Sequence, residues 1–265
     1  MSNADTRCRQ GLQLDRLGLY MEATNIIREA VTRVALLRHT AADKPALARA
    51  VSDVKHFQAS RFAGSYYDLL HSERYQAAAR FFLQELYSEK DFSERDAQFA
   101  RIAGALERLF PRQVVQTAVS LAQLHCLTEE LDLAMAQHWM NNAGAGEVAR
   151  YVMAWRAVDR RAERNTQLAT VLNVGYELDR LTRTPGLRMM LKMMRGPASL
   201  AGLGSLQQFL ESGFDTFAAM GRKGEGVTYF MDTLRSRESR LIDRLFEASA
   251  VACETEIAQI LGHAR

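Results

Sequence analysis

Long apolar runs, paired cysteines and strand patterning are all missing from this sequence, and each absence removes a class of protein. No stretch approaches the roughly 20 consecutive apolar residues that span a bilayer, so no transmembrane segment is expected. The first ten residues, MSNADTRCRQ, are polar and contain no apolar signal core. Cysteine is scarce: Cys8, Cys126 and Cys253 are odd in number and lack CxxC spacing. Cys126 and Cys253 fall in apolar helical runs, where buried thiols are expected, and the set fits a reducing, cytoplasmic setting. Proline is rarer still, with four in 265 residues beside sixteen glycines. No run alternates with period two and β-branched enrichment; Val227-Thr228-Tyr229-Phe230 is the nearest, and it reads as the start of a helix. The formal net charge of +3 is small. Acids lie among the arginines nearly everywhere, so no nucleic-acid surface is expected. There is no fixed-period repeat and hence no solenoid.

What is present is helix. With 48% hydrophobic and 25% charged residues the chain has globular composition, rich in Ala, Leu, Arg, Glu and Met, which favour helices. The expected fold is all-α: a multi-helix bundle of about eight to ten helices with antiparallel neighbours. It forms a single domain over residues 1–265, with a possible subdivision at 141–146, where Asn141-Asn142-Ala143-Gly144-Ala145-Gly146 is the best linker candidate.

Tyr75 to Pro111 is the clearest segment. Tyr75, Ala78, Phe81, Phe82 and Leu86 fall three and four apart on one helical face. Ser88-Glu89-Lys90-Asp91 is a polar turn. Ser93 with Asp96 three residues later reads as a cap, with Asp96 bonding back and opposing the helix dipole. A second helix then carries Phe99, Ile102, Ala103, Leu106, Leu109 and Phe110 to the stop at Pro111. The short turn predicts that the two helices pack antiparallel on one another.

The pattern FFLQELYSEKDFSERD in this segment resembles the signature of an uncharacterised family of bacterial all-helical proteins, FFLxxLYxxxDFxxRD. Arg195-Gly196-Pro197-Ala198 through Gly202 and Leu203, with Phe209-Leu210-Glu211-Ser212-Gly213-Phe214, resembles a second signature of that family. The resemblance runs from about Tyr75 onward. It implies an all-helical fold and brings no established activity.

Elsewhere, helices are expected at Leu12–Leu37, from Pro45 to about Ser60, and at Gln113–Met140. Another runs from Glu147 to about Thr182 with an irregularity near Gly175. Arg61–Leu70 reads as a short helix or turn. Thr184-Pro185 should cap Gly186–Met194, which Gly196-Pro197 breaks, and Ser205 should cap Leu206–Met220. After a loop at 221–226, one last helix is expected from Val227 to Leu261, bent near Arg235-Ser236-Arg237-Glu238.

Two clusters carry possible chemistry. His125, Glu129 and Asp132, at offsets of four and three, share a helix face above Leu121 and Ala118. A histidine and carboxylates so spaced suit a metal ion, or an imidazole oriented by a carboxylate; a haem with His125 as axial ligand is a variant. The plainer reading is a helix face turning from core to solvent, and the Glu-x-x-His pairs of two-metal bundles are missing. Arg188, Lys192 and Arg195, beside Met189 and Met193, form the second cluster. A basic face with flexible thioethers suits an anionic group or a partner helix; the alternative is Met in the core beneath a basic outer face. Gly202-Leu203-Gly204 lacks the lysine and strand of a phosphate loop. Trp139 and Trp155 read as core anchors. The sequence names no cofactor. It predicts a non-catalytic helical protein binding a protein partner, a second copy of itself as a homodimer, or an apolar or anionic ligand. The rival is a metal- or haem-dependent enzyme or sensor using His125.

Overall fold

Helix α6 (Arg112–Asn141) is the axis of the fold. It has no Gly or Pro across its 30 residues, and the small Ala118, Ala122 and Ala136 on its buried positions let neighbours approach closely. Around it pack α1 (Asn3–Ala42), α2 (Pro45–Ser65), α5 (Ser93–Leu109), α7 (Glu147–Val158) and α8 (Arg161–Thr182). An outer set comprises α3 (Tyr67–Leu70), α4 (Gln76–Glu85), α9 (Leu187–Met193), α10 (Arg195–Leu200), α11 (Gly204–Gly221), α12 (Gly226–Glu247) and α13 (Ala250–His263). The computed structural model describes residues 3–85, 90–221 and 226–264, with side chains in α1 from residue 22 onward. Among these residues there is no strand, and no helix is long and apolar enough to cross a membrane. The expectations placed on Leu86 to Glu89 and on Arg222 to Glu225 lie outside the described residues, and that on Cys8 outside the described side chains.

Several expectations change in detail. Pro45 opens α2 as expected, but the helix runs past Gly64, where a Cβ would stand 2.0 Å from the Ile260 carbonyl oxygen. Glycine there lets α2 and α13 touch backbone to backbone. The two helices of the signature segment are joined chiefly through α11. Phe81 stacks on Phe209 at 5.7 Å, and Gln98 accepts from the Leu206 N–H at 2.9 Å. That last bond supplies the start of α11, a task expected of Ser205. Ser93 and Asp96 do not form a cap either. Asp91 accepts from the Ser93 backbone N–H at 2.9 Å, which frees Asp96 to turn inward.

The expected helix from Glu147 divides at Asp159, whose φ of 48° is left-handed, a conformation Asp tolerates through its short polar side chain. Gly175 sits inside α8 with no break, against the Met231 side chain. Thr184 makes no cap; Gly186, at φ 78°, precedes α9 instead. The last helix divides at Ser249, whose hydroxyl accepts from the Ala252 N–H. Cys253 is buried as expected, whereas Cys126 is half-buried.

The apolar interior falls into four groups. One surrounds Trp139, Tyr151 and Trp155, a second Phe82, Phe217 and Phe230, a third Ile27, Leu106 and Ala122, and a fourth Leu181, Leu187 and Phe214. Between them lies a cavity.

Candidate functional site

The cavity has a volume of about 360 Å³ and takes part of its wall from all four apolar groups. Leu106, Phe110, Val114, Leu181, Leu187 and Phe214 line an apolar stretch. Lys55, Gln58, Asp96, His125, Glu129 and Asp132 line a polar one. A pocket of this size, mostly apolar with convergent polar groups, has the character of a small-molecule site.

The polar wall is built by four helices. Arg38, near the end of α1, donates from Nη1 to Asp96 Oδ2 at 2.8 Å and from Nη2 to Glu129 Oε1 at 3.1 Å. Lys55 on α2 donates to both oxygens of Glu129 at 2.9 Å. His125 Nε2 lies 2.9 Å from Asp96 Oδ2 and 3.2 Å from Arg38 Nη2. One turn further along α6, Asp132 Oδ1 accepts from Gln58 Nε2 at 3.1 Å. On the far side Arg61 grips Glu238 in a two-pronged pair at 3.0 and 3.1 Å, and the Tyr66 hydroxyl donates to Glu238 at 2.8 Å. Glu238, read from sequence as part of a charged bend, is an inward residue.

Electrostatics separate the carboxylates. Burial pushes Asp96 up, but hydrogen bonds and charge from His125 and Arg38 hold it below the usual carboxylate range. Glu129 behaves alike: burial raises it, and Lys55 and then Arg38 bring it below its ordinary value. The same two acids hold the Arg38 guanidinium above its ordinary value despite its burial. Asp132 differs. Burial dominates and lifts it above the ordinary aspartate value, because Lys55 and Arg164 act only through space.

The expected trio is therefore on one wall without converging. His125 faces Asp96 and Arg38, Glu129 faces Lys55 and Arg38, and Asp132 faces Gln58. Among the described residues, no three His, Cys, Asp or Glu side chains are grouped to hold a metal ion. The carboxylate that orients the imidazole is Asp96, from α5. Ionised Asp96 can only accept, so in this contact His125 Nε2 carries the proton.

The Arg188 cluster is placed differently. Arg188 donates to Asp215 at 2.7 Å and Arg195 to Glu211 at 2.7 Å, so both arginines are tied to α11. That pairing pulls Glu211 down to about 2. Met189 and Met193 are 67% and 70% exposed, while Leu187 is buried and Met190 packs partly beneath. The methionines of this helix are thus split between core and surface.

The signature segment bears on the cavity directly. Phe92, Arg95 and Asp96 line it, and Arg95 lies between the Phe92 and Phe209 rings at 3.9 and 4.3 Å while pairing with Glu85. A family model described as "Domain of unknown function (DUF8198)" matches residues 37–252. The chain belongs to this family. No curated protein and no solved structure matches it. The matched span contains Arg38, Lys55, Asp96, His125, Glu129 and Asp132.

Sequence reasoning missed Arg38, Lys55, Gln58 and Arg61, and gave Asp96 the wrong task. One signal was available. Val54, Gln58 and Arg61 continue a single α2 stripe at helical spacing, so polar residues occupy positions that the pattern reserves for the core.

Proposed function

We propose that the protein binds a small molecule with a mostly apolar body inside the helical bundle, its polar end toward the α2–α6 wall. The observation that carries this reading is the 360 Å³ cavity, bordered by all four apolar groups and by a network of buried, paired charges. A packing defect would be expected to lie between apolar surfaces alone. Here Lys55, Asp96 and Glu129 on the wall are held in fixed mutual geometry by their ion pairs, two of them to Arg38, as a site that orients a ligand requires. The test is binding of the neutral fluorophore N-phenyl-1-naphthylamine. Saturable, blue-shifted emission near one equivalent is expected, and Leu121→Trp, which thickens the wall one turn from His125, should abolish it. Emission that fails to saturate, or is equal in wild type and variant, would remove the proposal.

A second reading concerns a different surface and rests on the exposure of Met189 and Met193 together with Leu200 on the next helix. Unbranched thioethers suit an adaptable protein contact, here a second copy of this chain. Sedimentation should then show a dimer that Met189→Glu with Met193→Glu dissociates; a wild-type monomer would end this reading.

A further inference from the structure

We infer that the stretch of cavity around Asp132 is a subsite for a primary ammonium group carried on an apolar body. The inference rests on the cavity being a ligand site and goes beyond that reading by naming the chemistry of the ligand's polar end.

Asp132 is 3% exposed and lines the cavity, yet Gln58 is the one donor to it among the described residues. Every other acid on the polar wall is paired directly with a cation: Asp96 with Arg38, Glu129 with Lys55 and Arg38, Glu238 with Arg61. Asp132 has a neutral amide instead. A buried carboxylate without a contacting cation is costly, and it either takes a proton or waits for a counter-ion. Its raised proton affinity is the same fact seen from the side of the proton. An ammonium on Asp132 Oδ2 would stand where that proton stands, at the same net charge.

The surroundings suit a group that donates. Tyr151 is 1% exposed, lines the cavity, and is fixed by stacking on Phe57 at 4.5 Å. Its hydroxyl offers an acceptor oxygen. The Tyr151 and Trp155 rings add aromatic surface to the same wall, which favours cations. The cations acting on Asp132 are already engaged. Lys55 is clasped by both Glu129 oxygens, and Arg164 lies 4.1 Å over the Trp155 ring and donates to Gln167. A carboxylate head would add negative charge beside Glu129 and Asp132. An alcohol would serve Gln58 and Tyr151 but leave the Asp132 charge unbalanced.

The experiment is competition against bound N-phenyl-1-naphthylamine by octylamine, octanol and octanoate, which share a chain and differ in the head. Octylamine should displace the probe at about tenfold lower concentration than octanol, the worth of one charge-assisted contact. Asp132→Asn should bring octylamine and octanol within about twofold of each other, since the charge that favours the ammonium is removed. Tyr151→Phe, which keeps the ring, should weaken octylamine by about threefold; this variant carries the test if Asp132→Asn does not fold. Octanol equal to octylamine, or octanoate the strongest, overturns the ammonium subsite and leaves the cavity reading standing. Displacement by none of the three also overturns it. Only failure of the fluorophore itself to bind removes both.

Discussion

Asp96 and Glu129 are low carboxylates and Asp132 is a high one, and the three make opposite demands on pH. A carboxylate depressed by folding contributes stability that is present above its unfolded value, near 4 for Asp and Glu, and is lost as pH falls through the folded value. A carboxylate raised by folding does the reverse, costing stability as pH rises above that same unfolded value. Asp132→Asn should therefore stabilise the protein at neutral pH by about 1–2 kcal/mol, with the gain shrinking toward zero near pH 4. Urea titrations of both proteins across that range check this; a gain that does not change with pH would contradict it. Arg38→Met should act in the other sense, costing about 2 kcal/mol at neutral pH because it leaves two buried acids short of a partner. The chemistry of these residues was only partly legible beforehand. Helical spacing put His125, Glu129 and Asp132 on one face. Their partners come from α1, α2 and α5, and pairings at sequence separations of 29 to 91 residues leave no periodic trace in a single chain. Asp96 was misread for a related reason: three residues after a serine it looks like a capping residue, and only the approach of Arg38 and His125 shows otherwise.

At the scale of the element, two glycines give a contrast that separates backbone contact from side-chain contact. A Cβ at Gly64 would meet the Ile260 carbonyl oxygen at 2.0 Å, and α13 would have to move. At Gly175 it would meet the Met231 Cε at 2.3 Å, the far end of a flexible chain that can rotate away. Both glycines lie inside helices, where alanine alone would gain about 1 kcal/mol. Gly64→Ala should nevertheless destabilise by about 2–3 kcal/mol, as overpacking does, and Gly175→Ala should fall within about 1 kcal/mol of wild type. Equal effects in chemical denaturation would show that α2 and α13 are not locked backbone to backbone. The helices themselves were legible because apolar spacing repeats every turn. Breaks were less so: Asp159 and Ser249 end helices through local backbone and capping geometry that their composition does not distinguish from a continuing helix. The start of α11 was hidden altogether, since its donor Leu206 is served by Gln98 from another helix.

At the scale of the molecule, the division of the core into four apolar groups leaves stability and binding in opposition. Each group buries its own apolar side chains, and the cavity lies where the four border one another. Lining atoms there have no partner on one side and forgo dispersion contacts. A side chain grown into that space regains them, so Leu121→Trp is expected to raise the melting temperature of the ligand-free protein while removing ligand binding. The size of the gain is limited, because Trp must fit between fixed walls and the indole N–H needs an acceptor; about 1 kcal/mol is expected, or a few degrees for a chain of this length. Ligand should produce the same rise in the wild type by another route. A molecule bound at a hundredfold its dissociation constant adds about 2.7 kcal/mol, and that addition should vanish in the variant. Calorimetric scans of both proteins with and without octylamine give the four melting temperatures needed. A variant that melts higher alone but no higher with ligand, beside a wild type that gains only with ligand, is the expected pattern. Wild type and variant gaining equally from ligand would place binding outside the cavity.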